Sequence, residues 1–503
     1  MNPAGGEVSS GRVTRLRLLM LLASLPLVGC GEPILDDVRQ AEMINVVTSA
    51  DEALLRTRPN LVAGKYARMA SSPYDFFRGT VPLSWHDYQN NRFDFGNSSF
   101  ALDGPLTPVL GDPHPENFGT LLDAEGNLGL EPNDFDSADF APYLWDLRRL
   151  TTGVALAARL TNSDDPMAHE TTSSASREIA RSAAESYARA ILAFSGGLER
   201  TSFTEAADDP ILEDLFSRAA EGLADRTELE DLTALENGRR VLRRGVLDPE
   251  EPTARHVDLP DWAYAALPET LNRYRASLLN PPEAAYFDLL DAARVLGSGV
   301  ASWARIRVVL LVRGPTDAPD DDVLLELKEL NDSGLGGHYP PFIHYDDVQE
   351  RIRMTSRAAW ARPDAEPLWG TSEWLGLPCQ IKRESAAHKT IRVRRMNEER
   401  GTPEALQSLA RHLGQVLARA HTGTPKNAEW VARDIAYVIQ RDSTAFANEQ
   451  ADIGDRYAQR VLADYELFRL ALHDRGPHLG LSQDTNDVVS PDVAAIFADE
   501  QAK

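Results

Sequence analysis

The chain reads as an α+β protein with a large helical part and a smaller β-rich part. Three observations carry this. Apolar residues recur at helical spacing in several long segments, as in Leu144, Leu147, Leu150, Val154 and Ala158. Ile306 to Val312 is a β-branched and leucine-rich run, followed after a Pro/Asp-rich turn by Val323 to Leu330. With 503 residues and 43% hydrophobic content, the chain can bury a large core. That length fits about two to four domains.

The first thirty residues read as an export signal and not as part of the fold. Arg12, Arg15 and Arg17 form a positive region, and Leu18 to Val28 is apolar but too short to span a bilayer. The run ends in Leu27-Val28-Gly29-Cys30, which resembles a bacterial lipoprotein cleavage and lipidation box. Residues 1–29 are therefore expected to be removed and Cys30 acylated, anchoring an exported protein to a membrane of the cell envelope. Cys379 is then the one other cysteine, so no internal disulfide is expected. The formal charge of −25, from 52 basic and 77 acidic residues, weighs against a nucleic-acid partner.

Residues 30–60 read as a tether and first helix, and 61–165 as the segment that carries the chemistry. Arg78, in Phe77-Arg78-Gly79, suits either a phosphate or acceptor contact or a salt bridge to the acids that follow. From Gly111 to Asp139 there are eight carboxylates and no Lys or Arg. Acids this crowded repel, so a fold that gathers them favours a bound cation. Pro113 and Pro115 keep Asp112 to Asn117 out of a helix. Thr120 to Leu122 and Leu128 to Leu130 flank Asp-Ala-Glu-Gly-Asn, a hairpin pattern.

A hairpin would return Asn133-Asp134-Phe135-Asp136 to the side of Asp112 and Asn117. A carboxylate able to take a proton would then stand beside an amide and one or two carboxylates suited to Mg²⁺ or Mn²⁺. Phosphoryl transfer needs those parts: a base for the hydroxyl and oxygen ligands for the metal on the phosphates. His114 is expected to orient the loop by hydrogen bonding. Asp146, inside an apolar helix, is expected to be a buried structural carboxylate.

Residues 166–285 read as helical support, with Ile179, Ala183, Tyr187, Ile191 and Phe194 on one face and further helices at 210–224, 227–244 and 261–279. Residues 286–396 form the β-rich part. The plan is a strand, the turn Gly297-Ser298-Gly299, a strand and a further strand carrying Lys328; backbone N–H groups at the glycines can approach phosphates, and Lys328 can pair with them. Thr390 to Val393 alternates and reads as another strand. Leu406, Leu409, Leu413, Val416 and Leu417 mark a helix within 397–475, and 476–503 read as a polar tail.

Gly-Asp-Pro-His-Pro-Glu-Asn at 111–117 resembles the G-D-x-H-x-x-N loop of aminoglycoside phosphotransferases and related kinase-like enzymes. Asn-Asp-Phe-Asp at 133–136 resembles their metal-binding segment. The closer resemblance is to the bacterial family catalogued as domain of unknown function 2252. That family carries Phe-x-Arg-Gly, G-D-x-H-x-x-N-F-G, N-D-F-D and W-D-L-x-R-L in this order, here at 76–79, 111–119, 133–136 and 145–150. The resemblance implies a Lys328–Glu350 pair, with Glu350 on a helix signalled by Val348 to Ile352. Ala301 and Ser302 stand where the family usually carries a further Gly, a departure in the phosphate grip.

In ordinary kinases the Gly-turn and Lys precede the catalytic Asp, and here they follow it. A circularly permuted kinase-like fold reconciles the two orders. The expected roles are then Asp112 as base with His114 beside it, and Asn117, Asp134 and Asp136 as metal ligands. Gly297, Gly299, Lys328 and Glu350 would hold ATP as phosphoryl donor. Three functions fit: a phosphotransferase to a small-molecule or protein hydroxyl, a silent kinase-like binding lipoprotein, or a metal-dependent phosphohydrolase.

Overall fold

Helix Tyr143–Thr161 is buried on every side from Tyr143 to Ala158, with Arg148 and Arg149 among its enclosed side chains. A helix buried on all sides has to lie inside others. Helices His169–Ser195, Pro403–His421 and Ser443–Arg475 pack around it. Two glycines permit the close approach: a Cβ at Gly414 would sit 2.3 Å from the Ala183 carbonyl, and one at Gly454 would sit 2.6 Å from Thr151 Oγ1. The structure is a computed structural model that describes residues 32–102, 107–161, 169–205, 209–247, 254–335, 347–397, 401–423 and 428–481. The expected export signal, Cys30 and the tail beyond Leu481 lie outside the described residues.

The N-terminal segment is more than a tether. Helix Glu32–Ala50 is pinned to the bundle by Arg39, which reaches Asp87 and Asp464 at 2.6 Å each. Short helices Pro59–Met69, Pro73–Gly79 and Val81–Gln89 follow.

The β-rich part is one antiparallel sheet of seven strands. Its order is Gly370–Trp374, Leu377–Arg383, Val323–Glu329, Arg307–Val312, Leu289–Leu296, Arg255–Val257 and Gly245–Val246. The third strand in that order, Val323–Glu329, is covered on both faces. Leu325 and Leu327 join the main core, and Leu324 joins a smaller cluster with Val309, Leu311, Leu229 and Leu242. Among the described residues no helix is long and apolar enough to cross a membrane.

The α+β class stands, and so do the strands over 307–312 and 323–329. Three local expectations do not. The helix expected over 227–244 ends at Leu232, and Thr233–Glu236 pairs with Arg239–Leu242 in a hairpin. Asn237-Gly238 makes its turn with φ of 52° and 79°, the left-handed conformations an Asn-Gly hairpin turn uses. The sheet begins before residue 286, since Gly245–Val246 and Arg255–Val257 form its edge. Thr390 to Val393 makes one bridge, Gly119 to Thr390, although Ile391 and Val393 are buried as the alternation requires.

Candidate active site

The loop that starts at Gly111 is held from below by the buried helix. Asp146 accepts the backbone N–H of Leu110 at 2.6 Å and of Gly111 at 2.9 Å, and Trp145 Nε1 donates to the Gly111 carbonyl at 2.8 Å. His421 Nε2 lies 3.1 Å from the same Asp146 carboxylate, and Tyr187 completes the buried chain at His421 Nδ1. Hydrogen bonds to a charged group contribute about 1.5–3 kcal/mol each, so Asp146 is a strong local anchor. Gly111 itself has φ +80°, and a Cβ there would sit 1.9 Å from the Ser137 carbonyl. Only glycine fits.

From that anchor the loop presents its chemistry. Asp112 is nearly buried, and its Oδ1 accepts both Nε (3.0 Å) and Nη2 of Arg149. Burial pushes the Asp112 carboxyl up to about 6, with Arg149 opposing part of the rise. His114 Nε2 lies 3.5 Å from Asp112 Oδ2. Burial, with Arg78, Arg149 and Arg392 nearby, holds His114 well below the usual histidine range, so its ring is neutral. Asn117 donates its side-chain N–H to the Asp112 carbonyl at 2.7 Å, which leaves the amide oxygen available to a ligand.

Strands Phe118–Leu122 and Leu128–Pro132 then form the hairpin, and Asp123 Oδ1 caps its turn by accepting from Glu125 and Asn127. Asn133 N–H donates to the Asn117 carbonyl at 3.1 Å, so the hairpin does return the chain.

The opposite wall comes from the sheet. Its register sets Arg307, Lys328 and Gln380 side by side across three strands, with Glu326 beside Lys382 one step along. These five side chains, Gly297 to Gly299, Asn117 and Asp134 line one cleft of about 180 Å³. Lys328 Nζ lies 2.6 Å from Asp136 and 3.5 Å from Asp134. Burial lowers the lysine, but the two carboxylates outweigh it and hold the ammonium charged. Burial likewise opposes ionisation of Asp134, and Lys328 with its neighbours overcomes it. Arg307 pairs with Glu326, and with Lys382 it holds that carboxyl at about 2 against the effect of burial.

The glycine turn is braced from behind. Gly64 of helix Pro59–Met69 meets Trp303 so closely that a Cβ would sit 2.3 Å from its Nε1. Arg58 bonds both the Ala304 carbonyl and Glu329, and Glu329 accepts the Ile306 N–H at 2.8 Å.

The model of a bacterial family described as "Uncharacterized protein conserved in bacteria (DUF2252)" matches residues 56–471. The chain belongs to that family. No curated protein and no solved structure matches it.

In this DUF2252 chain the expected site residues divide as follows. Asn117, Asp134, Gly297, Gly299 and Lys328 share the cleft, and Asp112, His114 and Asp136 adjoin it. Glu350 does not. It is exposed in the first turn of helix Val348–Ala359, and Lys328 takes Asp134 and Asp136 as partners instead. The side chain that turns inward is its neighbour, Arg351, which donates to the carbonyls of Asp136, Ala138 and Asn331.

Among the described residues no three His, Cys, Asp or Glu side chains converge as a metal cage. A Mg²⁺ carried in with phosphates needs only one or two protein carboxylates. Asp134, the Asn117 amide oxygen and Asp136, whose Oδ1 is buried without a hydrogen-bond partner, suit that demand. Sequence reading passed over Arg149, whose signal was an arginine inside an apolar helix, and Arg307, whose signal was its place opposite Lys328.

Proposed function

We propose that the DUF2252 chain is a phosphotransferase of kinase-like, circularly permuted organisation. It would take the terminal phosphoryl group of ATP to a hydroxyl acceptor. The observation that supports this best is the shared cleft. A loop with a carboxylate and an amide, near residue 115, faces a glycine turn and a buried lysine about two hundred positions later. Those are the parts that phosphoryl transfer requires.

In this reading the acceptor oxygen attacks the γ-phosphorus as its proton passes to Asp112. The bond from γ-phosphorus to the bridging oxygen breaks, and ADP leaves with that electron pair. Arg149 fixes the Asp112 carboxylate, and the neutral His114 ring stands beside it without the loop-ordering hydrogen bond expected of it, since its Nδ1 is buried with no partner among the described residues. Lys328 and Arg307 neutralise donor phosphates, and the turn at Gly297 and Gly299 lets backbone approach them. Asn117, Asp134 and Asp136 would hold Mg²⁺, which supplies charge neutralisation on the phosphates when bound. Anchoring in the cell envelope through an acylated Cys30 is proposed on the sequence of residues 12–30.

One observation favours a second reading, a binding protein without turnover: Asp112 Oδ1 is already held by two N–H groups of Arg149. Two substitutions separate the readings. Asp112→Asn should leave Mg·ATP affinity nearly intact while transfer falls about 10²-fold or more, the scale of a lost general base. Lys328→Met should weaken Mg·ATP binding. A binder shows the Lys328 effect with no turnover in any variant, and a phosphohydrolase shows the Asp112 effect with water as sole acceptor. If neither substitution changes binding or turnover, the phosphotransferase reading fails.

A further inference from the structure

One wall of the cleft carries charge that the proposed donor site does not use. Arg68 Nε lies 3.4 Å from Asp75, Asp75 lies 3.6 Å from Arg78, Arg78 lies 2.8 Å from Glu116, and Glu116 lies 3.5 Å from Arg392. Three guanidiniums thus alternate with two carboxylates. The row is assembled from helices Pro59–Met69 and Pro73–Gly79, the 111–117 loop and the segment after the sheet. All three arginines line the cleft, and both ends of the row are arginines whose side chains are 36% exposed. Neither end arginine is gripped by a bidentate carboxylate among the described residues, so N–H donors remain on each. A guanidinium is a planar fork that matches two oxygens of a carboxylate or phosphate.

The row stands on the Asp112 side of the cleft. Arg78 and Arg392 both pair with Glu116 of the 111–117 loop that carries Asp112, whereas Asp134 and Asp136 face Lys328 on the sheet. The sheet cations lie where donor phosphates belong. On the phosphotransferase reading, the arginine row, beside the loop that carries Asp112, stands on the acceptor's side of the cleft.

We propose that the row Arg68, Arg78 and Arg392 binds an anionic group of the acceptor. The substrate is then a small hydroxyl compound that already bears a phosphate or a carboxylate. The role as acceptor site rests on the phosphotransferase reading, while the anion site itself does not. A second anchor on the acceptor fixes the angle of its hydroxyl to Asp112, the kind of positioning that converts binding into rate. A neutral acceptor would leave the two end guanidiniums with their donors unused.

The test is calorimetry on the full chain loaded with Mg·ADP, titrated with glycerol 3-phosphate, with glycerate and with glycerol. Binding of either anion, with glycerol silent, is expected, and the two anions show whether phosphate or carboxylate is preferred. Arg392→Gln and Arg68→Gln should each weaken the anion about tenfold, while Mg·ADP affinity stays within about twofold. Lys328→Met should do the reverse. The proposal is overturned if neither anion binds more tightly than glycerol, or if Lys328→Met abolishes anion binding that both arginine variants keep. Should Mg·ADP fail to bind while an anion binds and both arginine variants weaken it, the phosphotransferase reading falls and the anion site stands.

Discussion

Lys328→Met offers a sharp test of what the acidic pair beside the cleft is for. In the native chain one ammonium faces two carboxylates, Asp136 at 2.6 Å and Asp134 at 3.5 Å. Methionine keeps most of the volume and removes the charge. Breaking a buried pair by removing one partner costs about 3–5 kcal/mol, because the remaining charge has lost its compensation. Asp134 is partly exposed, so water screens it and the lower end, about 3 kcal/mol, is expected.

If the two carboxylates suit a divalent cation, Mg²⁺ can take over the compensation. A ligand at a hundredfold excess over its dissociation constant stabilises by about 2.7 kcal/mol. Mg²⁺ should therefore restore most of the loss in Lys328→Met. It should add less to the wild type, where the ammonium competes for the same oxygens. Urea denaturation with and without Mg²⁺ reads both quantities, and Asp136→Asn placed in the Lys328→Met background should remove the gain. Equal Mg²⁺ stabilisation of mutant and wild type would refute the reasoning.

Other outcomes follow from the same geometry. Asp112 must be ionised to accept a proton and its carboxyl lies at about 6, so kcat/KM should rise through pH 6 and level off above it. Arg149→Met removes a charge that favours the carboxylate, so the rise should move to higher pH; an unshifted profile counts against the Asp112 assignment. Asp146→Asn should destabilise the chain by about 3 kcal/mol in chemical denaturation, since two backbone N–H groups and His421 lose their shared anion. Cys30→Ser should release the protein from the membrane fraction and abolish acyl labelling, and unchanged fractionation would remove the anchor.

Where the sequence was legible, a local rule settled the matter. Short apolar runs around Asp-Ala-Glu-Gly-Asn specified a hairpin, and the hairpin alone carried Asn133 back to Asn117. The strands 307–312 and 323–329 were visible because each carries an unbroken run of valine and leucine, Val308 to Val312 and Val323 to Leu325. Asn237-Gly238 was equally local and was overlooked beneath the helical pattern on either side.

The errors at the site had another origin. Periodicity assigns a residue to a face, but tertiary packing decides which face turns inward, and there Arg351 is buried while Glu350, one position before it, stays exposed. Lys328 found its carboxylates in a segment nearly two hundred residues earlier, and no local pattern carries that pairing. Arg149 was hidden for a similar reason, since a guanidinium in an apolar helix makes sense only once Asp112 is folded over it.

The brace behind the glycine turn has a consequence for motion. Helix Pro59–Met69, Trp303, Arg58 and Glu329 tie residues 303–306 to the N-terminal helices and to strand Val323–Glu329 at once. A flap that lifted there alone would break a buried ion pair and the paired Ile306–Glu329 bonds together. Breathing of the cleft should therefore carry the sheet and the helix as one block, with its hinge elsewhere. Hydrogen exchange would register this as an Ile306 amide as slow as those of strand Val323–Glu329, beside faster amides at Ser298 and Gly299.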